Sequence, residues 1–492
     1  MREIRHRLTA VYWRLRVFLQ RYGYRCVLAE TLRRLGLNAL CGRLLTTAIP
    51  TFQAWQKLAK TPPEDVAGMK VSVIIPVYNG IADGLERLLD SLRQQSHRNL
   101  EIVAVDSGSS DQSVALLQRH GATIVQIPKA EFRHDYARNL GAENATGDFL
   151  LFTVCDCSFE DPQWIELGLR HLKQFAAVSY STPQSYDEGA EAYARYLALN
   201  FLTANRYKLG VNLFGNRLFG RLAFALAGRT TRERTVHVDD TNHLVRRDFF
   251  LEHRYTAHTC EDMSFGREVI CAGRRLVYST LSQVQHYHNY ANYKKYFTRV
   301  LVDLMATNEF LGPYKVRGYH DIVDTTISSA ALLLGAILKT LHRYEHCSVR
   351  RVDLRSNVST EILEKRGLLG LPDFNNTLYA RTPLSYVLDI KSLVEEVRPV
   401  LDQQVGLCLD QGSQRLDPKH FRGFQSTFRL HIKHACWTLT KLGYVELSLD
   451  EFRHFVTLCM LNALAADLSL WVQRDRNEDS VNVEALKQLK WM

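Results

Sequence analysis

Val71-Ser72-Val73-Ile74-Ile75-Pro76-Val77-Tyr78-Asn79 is the stretch on which the reading of this chain turns. A β-branched apolar run closed by a proline and a polar pair reads as a strand buried on both faces. Working outward, Leu85, Leu88, Leu89 and Leu92 fall on one helical face, and residues 101–106 form a second apolar run. Residues 113–120 read as helix, 123–127 as strand, 132–144 as helix and 149–154 as strand. Strands alternating with helices at this spacing predict βαβ units and a mostly parallel sheet. In such sheets ligands sit at the carboxyl ends of the strands. Polar residues cluster at those ends: Tyr78 and Asn79, then Asp106 to Asp111, then Asp156.

The surroundings set limits. The chain has 492 residues, 46% hydrophobic and 23% charged. That composition excludes a disordered or fibrous protein and allows several domains. No apolar stretch reaches the roughly 18 residues of a membrane span. The net charge of +10 resides entirely in residues 1–60, which hold 12 Lys and Arg against Glu3 and Glu30. A surplus confined to one arm argues against a nucleic-acid-binding face across the fold. Leu8, Val11, Leu15, Phe18 and Leu19 recur there at helical spacing among arginines, a pattern suited to packing on the next domain or to an anionic membrane surface. The scattered cysteines and the absence of a secretory pattern fit a cytoplasmic protein, peripheral on the membrane if the basic arm engages it. Thr61-Pro62-Pro63-Glu64-Asp65 reads as a linker. The expected organisation is therefore a basic helical segment and linker over 1–65, an α/β domain over 66–295 and a helical domain over 296–492.

Three more stretches follow the first in order. They are Ile102-Val103-Ala104-Val105-Asp106-Ser107-Gly108-Ser109-Ser110-Asp111, then Phe132-Arg133-His134-Asp135-Tyr136-Ala137-Arg138-Asn139-Leu140-Gly141-Ala142, then Ala145-Thr146-Gly147-Asp148 leading through Phe149 to Asp156. Each alone is weak; together, in this order and spacing, they resemble the family 2 glycosyltransferases with the GT-A fold, in their rhamnosyltransferase-like subgroup. The resemblance covers roughly residues 70–295. It implies a Rossmann-like α/β domain and transfer of a sugar from a nucleotide-diphosphate donor to a saccharide or lipid-linked saccharide hydroxyl with inversion, as in cell-surface polysaccharide or glycoconjugate synthesis. The alternative is a non-catalytic protein that keeps the GT-A shape as a binding scaffold.

Residue by residue, the resemblance places Asp106 at the nucleobase, with Pro76, Tyr78 and Asn79 as another wall of that pocket. At a strand end Asp106 can accept from a base N–H, but it can equally cap the following turn. Arg138, on a helix beside the pocket, has a guanidinium suited to phosphate or to a structural ion pair. The family's D-x-D metal motif aligns with Val154-Cys155-Asp156, so its first acid is absent. The surviving Asp156 suits Mg²⁺ or Mn²⁺, and the departure leaves obligatory metal binding open. Thr259-Cys260-Glu261-Asp262 looks like the family's E-D motif. It implies Asp262 as general base and Glu261 as its helper, while acidic capping of a helix start is the plain alternative. In Val284-Gln285-His286-Tyr287-His288, the resemblance points to His286 as a metal ligand, with His288 the alternative on the same face. Asp240 and Asn242 match the acceptor side of the cleft. Residues 205–235 read as a long loop or a helix pair.

Overall fold

The structure is a computed structural model that describes residues 45–48, 51–185, 208–210, 217–287 and 293–311, the pairs 352–353 and 444–445, and single positions 458, 462, 465 and 469. The basic arm up to residue 44, His288 and most of the expected C-terminal helical domain lie outside these residues. The described residues fall in two compact units.

The first unit is built on a nine-stranded sheet. Its elements are β1 (Thr46–Ala48), α1 (Thr51–Leu58), β2 (Val71–Val77), α2 (Leu85–Arg93), β3 (Leu100–Asp106), α3 (Ser113–Arg119), β4 (Thr123–Gln126), α4 (His134–Glu143) and β5 (Phe149–Thr153). There follow β6 (Cys157–Ser158), α5 (Trp164–Gln174), β7 (Ser179–Ser181), β8 (Gln184–Ser185), β9 (Lys208–Gly210), α6 (Arg217–Leu226), α7 (Arg229–Val236) and β10 (Asn242–Arg246). The last are α8 (Arg247–Glu252), α9 (Glu261–Cys271), β11 (Leu276–Tyr278) and β12 (Val284–His286). The sheet order is β1-β9-β11-β7-β10-β5-β2-β3-β4. The strands β4, β3, β2 and β5 are parallel, as expected. Beyond them the sheet is mixed: β10 runs antiparallel to both β5 and β7, whereas β11 is parallel to β7.

This order fixes where a ligand can enter. From β2 the chain moves outward to β3 and β4, then returns to place β5 on the other side of β2. The switch point of the parallel sheet is thus the β2–β5 crevice. Pairing of β2 with β5 stops at Ile74, while pairing with β3 continues to Val77. Pro76, which has no N–H to give a ladder, falls where β2 has a strand on one side only. The crevice opens there, with Tyr78 and Asn79 on one rim and Val154 to Asp156 on the other.

The core explains the elements. Val71, Val73, Ile74, Ile75 and Val77 are buried, and Leu85, Leu88, Leu89 and Leu92 of α2 cover the sheet. α4 lies close on β2 because Gly141 carries no side chain: a Cβ there would stand 2.4 Å from Ile74 Cγ2. α9 comes closer still to α7, where a Cβ on Gly266 would stand 1.9 Å from the Val236 carbonyl oxygen. A small second sheet, β6-β12-β8, pairs His286 with Cys157. Of the segment 205–235, read as a long loop or a helix pair, the described residues form β9 and the helices α6 and α7. In the second unit are α10 (Tyr293–Leu311) and the antiparallel pair β13 (Val352–Asp353) and β14 (Tyr444–Val445). No helix among the described residues is long and apolar enough to cross a membrane.

Candidate active site

Two of the three described non-glycine residues with left-handed backbone, Asn79 (φ 50°) and Cys260 (φ 50°), flank the carboxyl-end crevice. Such conformations are costly for side-chain-bearing residues and gather at functional sites. At Asn79 the loop is tied down: Oδ1 accepts from the backbone N–H of Ser110 (2.8 Å), and the Asn79 N–H donates to Ser109 Oγ (2.8 Å). Asp106 is buried, and its carboxylate accepts from the N–H groups of Gly108 (3.2 Å) and Ser109 (3.2 Å). Asp106 thus caps the turn after β3, as the alternative reading expected. Tyr78, by contrast, is exposed, and Lys129 lies over its ring (4.3 Å to the centroid) while donating to its hydroxyl (2.7 Å). Lys129 escaped the sequence reading because it sits in a single 3₁₀ turn after Pro128 with no motif around it.

Across the crevice the antiparallel β6–β12 register sets His286 beside Asp156, Nε2 to Oδ2 3.3 Å. On the far side of the imidazole, Nδ1 lies 2.8 Å from Gln184 Oε1. Gln184 is itself oriented, because its Nε2 donates to Asp239 Oδ2 (2.7 Å). The amide oxygen accepts from Nδ1, which leaves Nε2 turned toward the Asp156 carboxylate. One carboxylate and one imidazole fixed from behind by a hydrogen bond are a donor set that fits Mn²⁺ or Mg²⁺. Cys157 Sγ belongs to the same group, with ligand atoms within 4.8 Å of one another, but burial and the neighbouring Asp156 push its thiol well up and keep it protonated. Gln184 was invisible in the sequence, since it lies 102 positions from His286.

The hydrogen-bond chain runs on from Asp239 into a crowded acid cluster. Oxygens of Asp239, Asp240 and Asp262 lie within 4.8 Å of one another. Glu261 and Asp262 open α9 in its first turn. The Asp240 N–H donates to Asp262 Oδ2 (3.4 Å), and the Met263 N–H to Asp262 Oδ1 (2.6 Å). Into this cluster reaches Arg138, buried, with Nη2 2.7 Å from Asp240 Oδ2 and Nη1 2.5 Å from Glu261 Oε1. Three carboxylates act on one guanidinium, Asp240 and Glu261 in contact and Asp262 beside them, so negative charge is in excess and favours protonation of one of them. Burial first, then the charges of Asp240 and Glu261, push Asp262 well above the ordinary carboxylate range. Glu261 is pushed up to about 8 by burial, against the pull of Arg138.

Two residues expected at the ligands have internal partners in the structure. Arg138, expected beside the donor phosphates, is 2% exposed and committed to Asp240 and Glu261. Asn242, expected to face the acceptor, is fully buried in β10, where its side chain accepts from the Thr182 N–H (2.7 Å) and donates to the Thr182 carbonyl (3.1 Å). Its amide mimics one ladder step beside β7 and is used up by it. Asp240 stays at the cluster, and His288 lies outside the described residues.

A Rossmann-like sheet with its switch point at β2–β5 and a carboxylate-rich carboxyl end defines an α/β protein whose ligand crevice lies at the carboxyl ends of its strands. Residues 72–253 match the family model of glycosyl transferase family 2, in keeping with the mostly parallel α/β sheet seen there. Among similar proteins, the O-antigen chain rhamnosyltransferase WbaN of Salmonella anatum is 26% identical over 234 residues, covering 46% of this chain and 70% of the relative. The O-antigen chain rhamnosyltransferase RfbN of Salmonella typhimurium is 27% identical over 239 residues, covering 46% and 71%. Among solved structures, the mannosyltransferase PcManGT from Pyrobaculum calidifontis, in complex with GDP-Man and Mn²⁺, covers 59% of this chain and 77% of its own, at 16% identity and a TM-score of 0.38.

Proposed function

We propose that the chain is an inverting glycosyltransferase, its catalytic domain spanning residues 66–295. It would move a sugar, by likeness to its relatives a deoxyhexose such as rhamnose, from a nucleotide-diphosphate donor to a hydroxyl of a saccharide or lipid-linked saccharide in surface-polysaccharide synthesis. The observation that carries this reading is one continuous polar path: Asp156 to His286, to Gln184, to Asp239, and from there through the acid cluster to Asp262. It links a site fit for a divalent cation to a carboxylate that can accept a proton.

In the mechanism, the sugar nucleotide lies in the β2–β5 crevice with its base beside Tyr78 and Lys129. Asp262 takes the proton of the acceptor hydroxyl as that oxygen forms its bond to the anomeric carbon. The bond from that carbon to the diphosphate oxygen breaks on the opposite face, and its electron pair leaves with the diphosphate. A base held above the ordinary carboxylate range receives the proton more readily at neutral pH. Glu261 stands beside it as helper. Asp156 and His286 would hold Mn²⁺ or Mg²⁺, which when bound neutralises charge on the diphosphate. The basic arm over residues 1–60 would hold the enzyme at the cytoplasmic face of an anionic membrane, where lipid-linked acceptors are found.

The test is a panel of sugar nucleotides offered to purified protein with Mn²⁺, Mg²⁺ or EDTA, read as nucleoside diphosphate release with and without candidate acceptors. Turnover of one donor that Asp262→Asn abolishes while still binding it supports the transferase. Failure of every donor to bind under any metal condition would turn the reading to a scaffold.

A further inference from the structure

Arg138 is buried among carboxylates that the reaction would use, on a helix that does not move easily. α4 is pinned to β2 at Gly141, and Asn139, the next residue, is clamped from both sides: its Nδ2 donates to the Tyr255 carbonyl (2.8 Å) and its Oδ1 accepts from the Tyr255 N–H (3.2 Å). From this fixed base the guanidinium forks. One nitrogen meets Asp240, in the segment leading into β10; the other meets Glu261, at the start of α9. Asp262 is touched by both ends of that fork: it follows Glu261 in the chain, and the Asp240 N–H donates to its Oδ2. Arg138 Nε has no hydrogen-bond partner, so the geometry has been set by the two carboxylates rather than by full satisfaction of the guanidinium.

We propose that Arg138 is a positioning residue: an internal counter-ion that fixes Asp240 and Glu261 relative to one another, so aiming Asp262 at the acceptor hydroxyl, without touching the donor diphosphate. The inference rests on the reading of Asp262 as base. Two physical reasons favour arginine here. A planar fork can hold two carboxylates at a set distance, whereas an ammonium is a single point of attachment. Without a cation, the buried Glu261 and half-buried Asp240 carboxylates next to Asp262 would repel it and each other, and the segments carrying them would separate.

The test compares Arg138→Lys and Asp240→Asn with the wild-type enzyme, using the donor found in the panel above. Steady-state kinetics are read beside calorimetric binding of the product nucleoside diphosphate and the folded fraction from thermal unfolding. The expected result is a kcat lower by about 10–100-fold in both variants, with the donor KM and the nucleoside diphosphate affinity changed by no more than about threefold. Asp240→Asn releases one arm of the fork at nearly constant shape, so it serves if Arg138→Lys does not fold. A donor KM or diphosphate affinity weakened by about tenfold or more with kcat retained would show that Arg138 binds the donor, and would overturn the proposal. Activity per folded molecule equal to that of the wild type would overturn it as well, reducing Arg138 to a fold-stabilising ion pair. A wild-type enzyme that turns over no donor would instead remove the transferase reading, and the inference with it.

Discussion

Two carboxylate regions stand at opposite ends of the same sheet and are treated in opposite ways. Near the start of β3, Glu101 is surrounded by donors: Lys70 Nζ (2.7 Å), Ser72 Oγ, the Thr146 N–H (2.6 Å) and hydroxyl (2.7 Å) and the Gly147 N–H (3.1 Å). Burial pulls its pKa up, but the hydrogen bonds from Lys70, Ser72 and Thr146 win and bring it down to about 2. At the other end, Asp262 has two backbone donors and three acidic neighbours, and is pushed up. The first arrangement stabilises the ionised carboxylate and locks the loop before β5 to the strand ends of β2 and β3. The second leaves a carboxylate that holds a proton easily. A carboxylate rich in donors is a structural tie; one that is buried, crowded and short of donors is suited to proton transfer.

The largest expected effect breaks that contrast at its functional end. Asp262→Asn should lower transfer by about 10²–10⁴-fold while leaving donor binding in place, read by nucleoside diphosphate release and calorimetry. The pH profile sharpens the same point. Activity should fall on the acid side with a midpoint above the ordinary aspartate value of about 3.9, because Asp262 must lose its proton to act as base and its pKa is raised. An acid limb at or below the ordinary value would deny the base role to Asp262.

His286→Ala should weaken Mn²⁺ binding by about 10–100-fold, measured by metal titration of the purified protein, and Gln184→Ala should weaken it less by freeing the imidazole to turn. Gly266→Ala should destabilise by about 1–3 kcal/mol, because α9 must move away from the Val236 carbonyl, taking Asp262 with it. Thermal unfolding would show that loss.

The smallest effects carry the clearest signs. Glu101 has a lowered folded pKa, so its stabilisation is present above the unfolded value and is lost as pH falls toward about 2. Glu101→Gln should therefore cost about 1 kcal/mol at neutral pH, with the deficit shrinking in acid. Asp262 has a raised folded pKa, so the native state binds the extra proton and loses stability as pH rises through the unfolded value toward the raised one. Asp262→Asn should then unfold at a higher temperature than the wild type at pH 7 to 8, with the gain disappearing near pH 4. Equal shifts of the same sign in both variants would contradict the contrast between the two regions.

Much of the sheet was legible because it is local. The run from Val71 to Val77, the leucines of α2 and the spacing of the following strands each report burial through a period of residues. The mixed half was not, since β10, β7, β11 and β9 are short and take their direction from partners distant in the chain. In the site, Asp156, His286, Glu261 and Asp262 were named from their motifs, and the fold brings the first two together. Arg138 and Asn242 were named with them, and the motif gave no sign of the internal partners that the fold supplies to each. Gln184 and Lys129 carried no signal at all.

The sequence by itself determined an α/β domain with a carboxyl-end crevice and the small set of acids and histidines around it, because strand burial and turn chemistry are written over a few consecutive residues. Only the tertiary structure decided which of those groups face the crevice and which face one another. Charge, burial and hydrogen bonding are properties of neighbours in space, and the neighbours that matter here, Arg138 with Glu261 and His286 with Gln184, are 123 and 102 positions apart.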